Sequence, residues 1–528
     1  MKMRKGTLLT YVGLVTFLLG TSIILTFVIP AQLYFLAPGA EDAWKYVKVK
    51  GILISNHTEV FMKYNITKYE GSKTCIQCHK KETKDFVHSI HYKMWNYVND
   101  IVGKPRVKVG SRVLYNDFCG AIFWNMTKPI NFIGKTVLKN VPNDMEKLKG
   151  RVVSTGCSAC HGSSLGKVPN IEPNGKDLEN VDCLVCHSLK YRGGPLGVAK
   201  GYRKLVKTED GWRYVPDISI KDAALILAKP GKDSCLACHA YSGGGPGFKR
   251  PNLTPDLMGN VSEHFDVHMA RGLHCVDCHP FEDHKVATKA VDTFAREGKA
   301  KSCVDCHPHR HRAPIVGFFI ERFHKRVSCQ ACHIPYIAHG KYPTDVKRDW
   351  RKAEFNYELK RWEPEIELKR DVVPTYAWWD GRDRIVYPDK VTGNEIIFAK
   401  PVKGKNAKIY PFKVHISYVP IDKEKGVPIP IKVGIVFSTG NVTLAIKKGA
   451  EIAGLNYTGN FIKVVRYMSV DHGVVPAKEA LKCTDCHSPW TRMPLKELGY
   501  GPLPEIAYYG APLLVLAGLA LTLFSILS

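Results

Sequence analysis

Two uncharged runs, Thr7–Ile29 and Ile506–Ser528, bracket a long polar body in which apolar residues follow no single period. A helix over either run would be about 35 Å long, enough to cross a bilayer. Lys2, Arg4 and Lys5 ahead of the first run place its N-terminal side in the cytoplasm, and Tyr508 and Tyr509 open the second at the height of a membrane interface. The rival for the first run is a cleaved signal peptide, whose apolar region is only about 7 to 15 residues. For the second, the rival is a terminal helix buried in a partner. Seven Asn-x-Ser/Thr sequons, at Asn56, Asn65, Asn125, Asn252, Asn260, Asn441 and Asn456, suit a body on the extracytoplasmic side.

Inside the body the stretch "KTCIQCHKKETKDFVHSIHYKMWNYV" has helical spacing for one helix or two joined by a turn. Further on, "GNEIIFAKPV" and "IPIKVGIVFSTGNVTLAI" alternate or run β-branched between glycine and proline breaks, which predicts strands and hairpins. "AYSGGGPGFKR" is a glycine-rich loop without the lysine-serine signature of a phosphate site. No paired-carboxylate or serine-triad arrangement stands out.

The cysteines change this picture. Sixteen of the 17 fall in eight CxxCH motifs: Cys75, Cys78 and His79; Cys157, Cys160 and His161; Cys183, Cys186 and His187; Cys235, Cys238 and His239; Cys275, Cys278 and His279; Cys303, Cys306 and His307; Cys329, Cys332 and His333; Cys483, Cys486 and His487. Zinc ribbons and dithiol redox sites use CxxC but give no reason for a histidine after every second cysteine. Two thiols that bond the vinyl groups of a haem, followed by a histidine that ligates its iron, do. Eight covalent c-type haems are therefore expected. The motifs stand too close together for independent hydrophobic domains, so the haems themselves should form the core. The expected fold is a multihaem cytochrome c: mainly α-helical and irregular chain wrapped around eight haems, a β-rich segment before the last one, and one transmembrane helix at each end. The expected division is an N-terminal tip and anchor (1–34), a haem domain (35–340), an aromatic and β-rich segment (341–480), the eighth haem segment (481–504) and a C-terminal membrane helix (505–528).

The formal charge of +27 would ordinarily suggest nucleic acid or an acidic surface. Eight haems bring roughly 16 propionates, which pair with many of the lysines and arginines. No nucleic-acid partner is expected, and the residual positive field favours small anions.

Each iron has a second axial position, and 13 histidines remain to fill these. Bis-histidine ligation gives low-spin centres suited to electron transfer, so an enzyme needs one iron that differs. The segments "SIHYKMW", "DFCGAIFW", "VDCLVCHSLK", "ACHAYSGGGPG", "DVHMARGLHCVDCH", "VSCQACHIP", "IYPFKVH" and "DHGVVPAKEALKCTDCH" resemble the octahaem tetrathionate reductase family of c-type cytochromes, relatives of multihaem nitrite reductases and hydroxylamine oxidoreductases. The resemblance runs from about residue 73 to about residue 493. It implies seven bis-histidine haems with His91, His268, His284, His324, His415, His472 and either His309 or His311 as distal ligands. It implies a catalytic haem on His161 whose distal ligand is Lys167, an amine that must be neutral to bind iron and can yield to an incoming ligand. It also sets Cys119, the one thiol outside the motifs, near that haem, although a lone cysteine is otherwise commonly a small buried hydrophobe. The function so implied is a membrane-anchored oxidoreductase that reduces tetrathionate, nitrite or hydroxylamine, served by a redox partner protein or a quinone-linked complex. The alternative is an electron conduit with no substrate of its own.

Overall fold

The structure is a computed structural model that describes most of residues 55–98, 172–188, 211–288, 299–307 and 314–527, with shorter pieces elsewhere, among them 12–19, 107–109, 116–120 and 203–208. In the motif-bearing part the helices are short. The stretch expected to hold one or two helices holds three, Ser72–Cys75, Lys80–His88 and Ile90–Lys93, because Ser89 is extended and Met94 turns left-handed at φ 63°. Several Cys-x-x-Cys units are one helical turn, which sets both thiols on one side with the histidine directly after them. In three of them an aspartate inside the motif closes the turn. Asp277, Asp305 and Asp485 accept the backbone N–H of His274, Ser302 and Lys482, at 2.8, 2.5 and 2.7 Å.

Between the seventh and eighth motifs the chain builds a seven-stranded sheet from β1 (Thr344–Asn356), β2 (Arg361–Lys369), β3 (Thr375–Trp379), β4 (Glu395–Phe398), β5 (Lys408–Asp422), β6 (Val427–Pro428) and β7 (Phe461–Ser469). The order is β4-β7-β5-β1-β2, with β3 and β6 also paired to β5. β5 is antiparallel to β7 and parallel to β1, so the longest strand lies at the centre.

The β-branched run 429–446 does not continue as strand. It forms α1 (Val433–Thr439) and the start of α2 (Val442–Ala453). Gly440, at φ 73°, ends α1, and Asn441 Oδ1 accepts the Leu444 N–H at 2.9 Å to begin α2. Val442, Ala445, Ile446, Gly449, Ala450 and Ala453 of α2 are buried at helical spacing. They pack on Trp350, Phe398, Val419, Ile421 and Val464 of the sheet. Local β-propensity therefore loses to two caps and an apolar helix face. The segment has a hydrophobic core of its own, and smaller clusters such as Leu236, Ala240, Leu257 and Phe265 lie among the motifs, so side-chain packing contributes to the core as well.

A 25-residue helix, Leu503–Leu527, ends the described chain and contains Pro512. It runs antiparallel to the helix over 12–19 with backbones nearly touching. A Cβ on Gly518 would lie 2.6 Å from the Phe17 nitrogen, and one on Gly13 would lie 2.8 Å from Thr522 Oγ1. Among the described residues no helix is long and apolar enough to cross a membrane, so the expected span at each end is not carried by them.

Candidate haem centres

Seven of the eight motif histidines face a second histidine across a gap of constant width. Ring centres are 6.4 Å apart for His79 and His57, 6.2 Å for His187 and His284, 6.2 Å for His239 and His91, and 6.2 Å for His279 and His472. They are 6.1 Å apart for His307 and His268, 6.4 Å for His333 and His311, and 5.5 Å for His487 and His324. Two imidazole–metal bonds of about 2 Å, with about 1 Å more from each bonding nitrogen to its ring centre, require roughly 6 Å. The residues therefore fit an iron between each pair. Only His324 and His487, with Nε2 atoms 3.2 Å apart, must separate slightly to admit it.

At several of these rings burial favours the neutral form, which offers a lone pair to metal. It pushes His91, His187, His333 and His487 down to about 4, and His239 to about 3, each helped by the histidine or histidines nearby. The motifs also adjoin one another. Cys75 lies beside Cys183, Cys235 beside Cys275 and Cys303 beside Cys329. Cys186 neighbours Cys235, Cys278 neighbours Cys306, and Cys332 neighbours Cys483 and Cys486. The first, third, fourth, fifth, sixth, seventh and eighth sites thus form one continuous series.

Cys157, Cys160, His161, Lys167 and His309 lie outside the described residues. Leu165 donates its N–H to Asn180 O at 2.9 Å and abuts Gly71, which sets Leu165 itself beside the first and third motifs.

One expected ligand is corrected. His415, fully buried on β5, faces none of the described motif histidines. Its Nδ1 is 2.8 Å from Asp117 Oδ2 and its Nε2 3.2 Å from Asp345 Oδ1, so neither nitrogen is left for iron. His57, not among the expected distal ligands, faces His79, and of the two alternatives His311 faces His333 while His309 lies outside the described residues. Sequence reasoning missed His57 because nothing in "SNHTEV" marks a ligand.

His415 instead belongs to a buried charge network under the Asn116–Gly120 loop, where Cys119 is half-buried. Asp117 also accepts from Arg466 Nε at 2.6 Å and Ser417 Oγ at 3.0 Å, Trp350 Nε1 donates to its carbonyl, and Phe118 stacks on His415 at 3.9 Å. Burial pushes the Asp117 carboxyl up, but Arg466, His415 and Lys249 outweigh it and hold it well below the usual carboxylate range. Lys413 Nζ donates to the Phe248 and Lys249 carbonyls and to Thr344 Oγ1, and burial brings it down to about 7 against the pull of Asp345. From about pH 7 up to the ordinary lysine value of about 10.4, the unfolded chain holds a proton that the folded chain has shed. Stability gains with pH across that window. Denaturation series from pH 6 to 10 should show Lys413→Met lacking this part of the slope.

The family model for bacterial cytochrome c matches residues 338–489, and that for cytochrome c7 and related cytochromes c matches residues 261–334. The first takes in the sheet, which is therefore part of a cytochrome and not a foreign insertion. An uncharacterized protein of Archaeoglobus fulgidus is 43% identical over 253 residues, 47% of this chain and 85% of that one. The octaheme cytochrome c of Shewanella oneidensis is similar in fold, with a TM-score of 0.59 and 23% identity over 82% of this chain and 95% of that chain. With its CxxCH motifs and imidazole pairs, the chain is a multihaem c-type cytochrome that binds its haems covalently and shares the fold of that octaheme cytochrome.

Proposed function

We propose that the protein is a membrane-anchored oxidoreductase that reduces a small sulfur or nitrogen compound, of the tetrathionate, nitrite or hydroxylamine class, at the haem held by His161. The observation that carries this reading is the accounting of histidines. Seven motif histidines have partners. Of the other histidines among the described residues, His88 is tied to Lys84 O, His264 to Glu479, His274 to Lys232 N, His339 to Asp371 and His415 to two aspartates. That leaves the second motif, which like His309 lies outside the described residues, as the one with no histidine assigned to it, so its iron is taken as the one that differs and Lys167 as its replaceable ligand.

The haems supply one-electron redox chemistry and, at one iron, a position open to substrate. The chain's own residues do the rest. Seven imidazole pairs close the other irons to substrate, and the lysine and arginine excess draws an anion toward the body. Cys119, half-buried on a loop tied down through Asp117, is the thiol that the family resemblance would set against a sulfur substrate. The uncharged runs Thr7–Ile29 and Ile506–Ser528 of the sequence and the basic residues Lys2, Arg4 and Lys5 support an anchor in the cell membrane with the body outside it. The series of seven saturated sites equally suits a conduit that passes electrons from a quinone-linked partner to another cytochrome.

Ligand binding separates the two. The reduced holoprotein should bind carbon monoxide at one haem in eight, and Lys167→Met should change the spectrum of that haem alone. A protein that binds none and turns over none of the three substrates is a conduit.

A further inference from the structure

Two of the paired histidines sit on segments far apart in sequence yet fastened to the same carboxylate. Asp266 is buried and precedes the single turn Val267–Ala270. Its Oδ1 accepts the N–H groups of His268 and Met269, both at 3.0 Å. Its Oδ2 accepts those of Gly473, at 3.0 Å, and Val474, at 3.4 Å, directly after His472. Val267 N–H donates to Val474 O at 2.8 Å, so the segments lie side by side. The motif partners of these histidines, His307 and His279, belong to neighbouring sites whose Cys306 and Cys278 adjoin.

We propose that Asp266 is a positioning residue for two adjacent haem sites at once: it holds His268 opposite His307 and His472 opposite His279, and sets one buried negative charge beside both. This rests on the reading of His268 and His472 as distal ligands. A residue that merely capped a helix would use one oxygen and touch one segment. Here each oxygen serves a different segment, and no other side chain among the hydrogen bonds of the described residues joins the two. Asn252 holds His472 by its carbonyl at 2.8 Å but reaches Ala338 and Tyr336 on its other bonds, not His268. A fixed charge next to two irons favours their oxidised forms, since the ferric state carries the extra positive charge.

Two substitutions separate the parts of this role. In Asp266→Asn the side-chain oxygen can still cap His268 and Met269, but the amide nitrogen meets the N–H groups of Gly473 and Val474, donor against donor. In Asp266→Ala both attachments go. Spin state and redox titration of the oxidised holoprotein, at unchanged haem content, read the result. Asp266→Asn should turn one haem partly high-spin and raise the midpoint potentials of two. Asp266→Ala should turn two high-spin. If the alanine variant does not fold, the asparagine variant alone decides. No spin change and no potential shift, a uniform shift of every haem, or a change confined to the His268 site would overturn the proposal. His268→Ala and His472→Ala are the control for the underlying reading: if neither produces a high-spin haem, the ligand assignment has failed and not the role of Asp266.

Discussion

Replacing His415 with alanine lowers the stability of the holoprotein by about 3–5 kcal/mol and leaves its number of low-spin haems unchanged. The loss is large because the ring is fully buried and both its nitrogens lie on carboxylates, so its removal strands part of Asp117 and Asp345 in a place water does not reach. Arg466 and Arg348 still neutralise one oxygen of each aspartate, at 2.6 and 2.9 Å, which keeps the loss from growing further. The stacked face of Phe118 is also uncovered, loosening the loop that carries Cys119. Guanidinium unfolding gives the stability and electron paramagnetic resonance the spin count. A new high-spin haem with stability intact would make His415 an axial ligand after all, and the network around it incidental.

His415 shows where the sequence stops being readable. CxxCH carries its chemistry in five consecutive residues, so all the proximal histidines were legible without any fold. A distal histidine has no such local signature, and its identity is a matter of which ring ends up about 6 Å from which. "DVHM" and "DHGVV" were recognisable only through the family resemblance, and Asp266 turns out to grip both segments. "PFKVH" looked equally specific. Its alternation put Lys413, His415 and Ser417 on one face of β5, but that face meets Asp117 and Asp345 and not an iron. The β-rich character of 341–480 was legible from its aromatic and β-branched runs, whereas α1 and α2 were not. Their β-branched content pointed to strand, and what decides for helix is the Gly440–Asn441 junction and an apolar face matched to Trp350 and Val464. The series of adjoining motifs is a third case. Pairs such as Cys75 with Cys183 join residues more than a hundred positions apart, and no spacing rule encodes that.

Replacing His57 with alanine should double the carbon monoxide bound by the reduced protein, from one haem in eight to two. His57 lies just before the helix Thr58–Lys63, anchored by its own N–H on Ala224 O at 3.1 Å, and Ser55 Oγ is 3.2 Å from its Nδ1. With Nδ1 engaged, Nε2 is the nitrogen left for a metal, the usual division of labour in a metal-bound imidazole. His79 opposite it is half exposed, so the site of the first motif lies at the surface, where an added ligand arrives without a channel. Truncation at His91 would open a site as well, but that ring is enclosed and Phe281 stacks on it at 5.9 Å. Ligand binding there should be the slower of the two. His88→Ala serves as the control, since its ring lies at the surface with Nδ1 on Lys84 O and faces no motif histidine. The expected pattern is therefore two equivalents for His57→Ala and one for His88→Ala and for the unchanged protein. One equivalent in all three would mean that another side chain completes the first site, and the pairing across His79 would have to be abandoned.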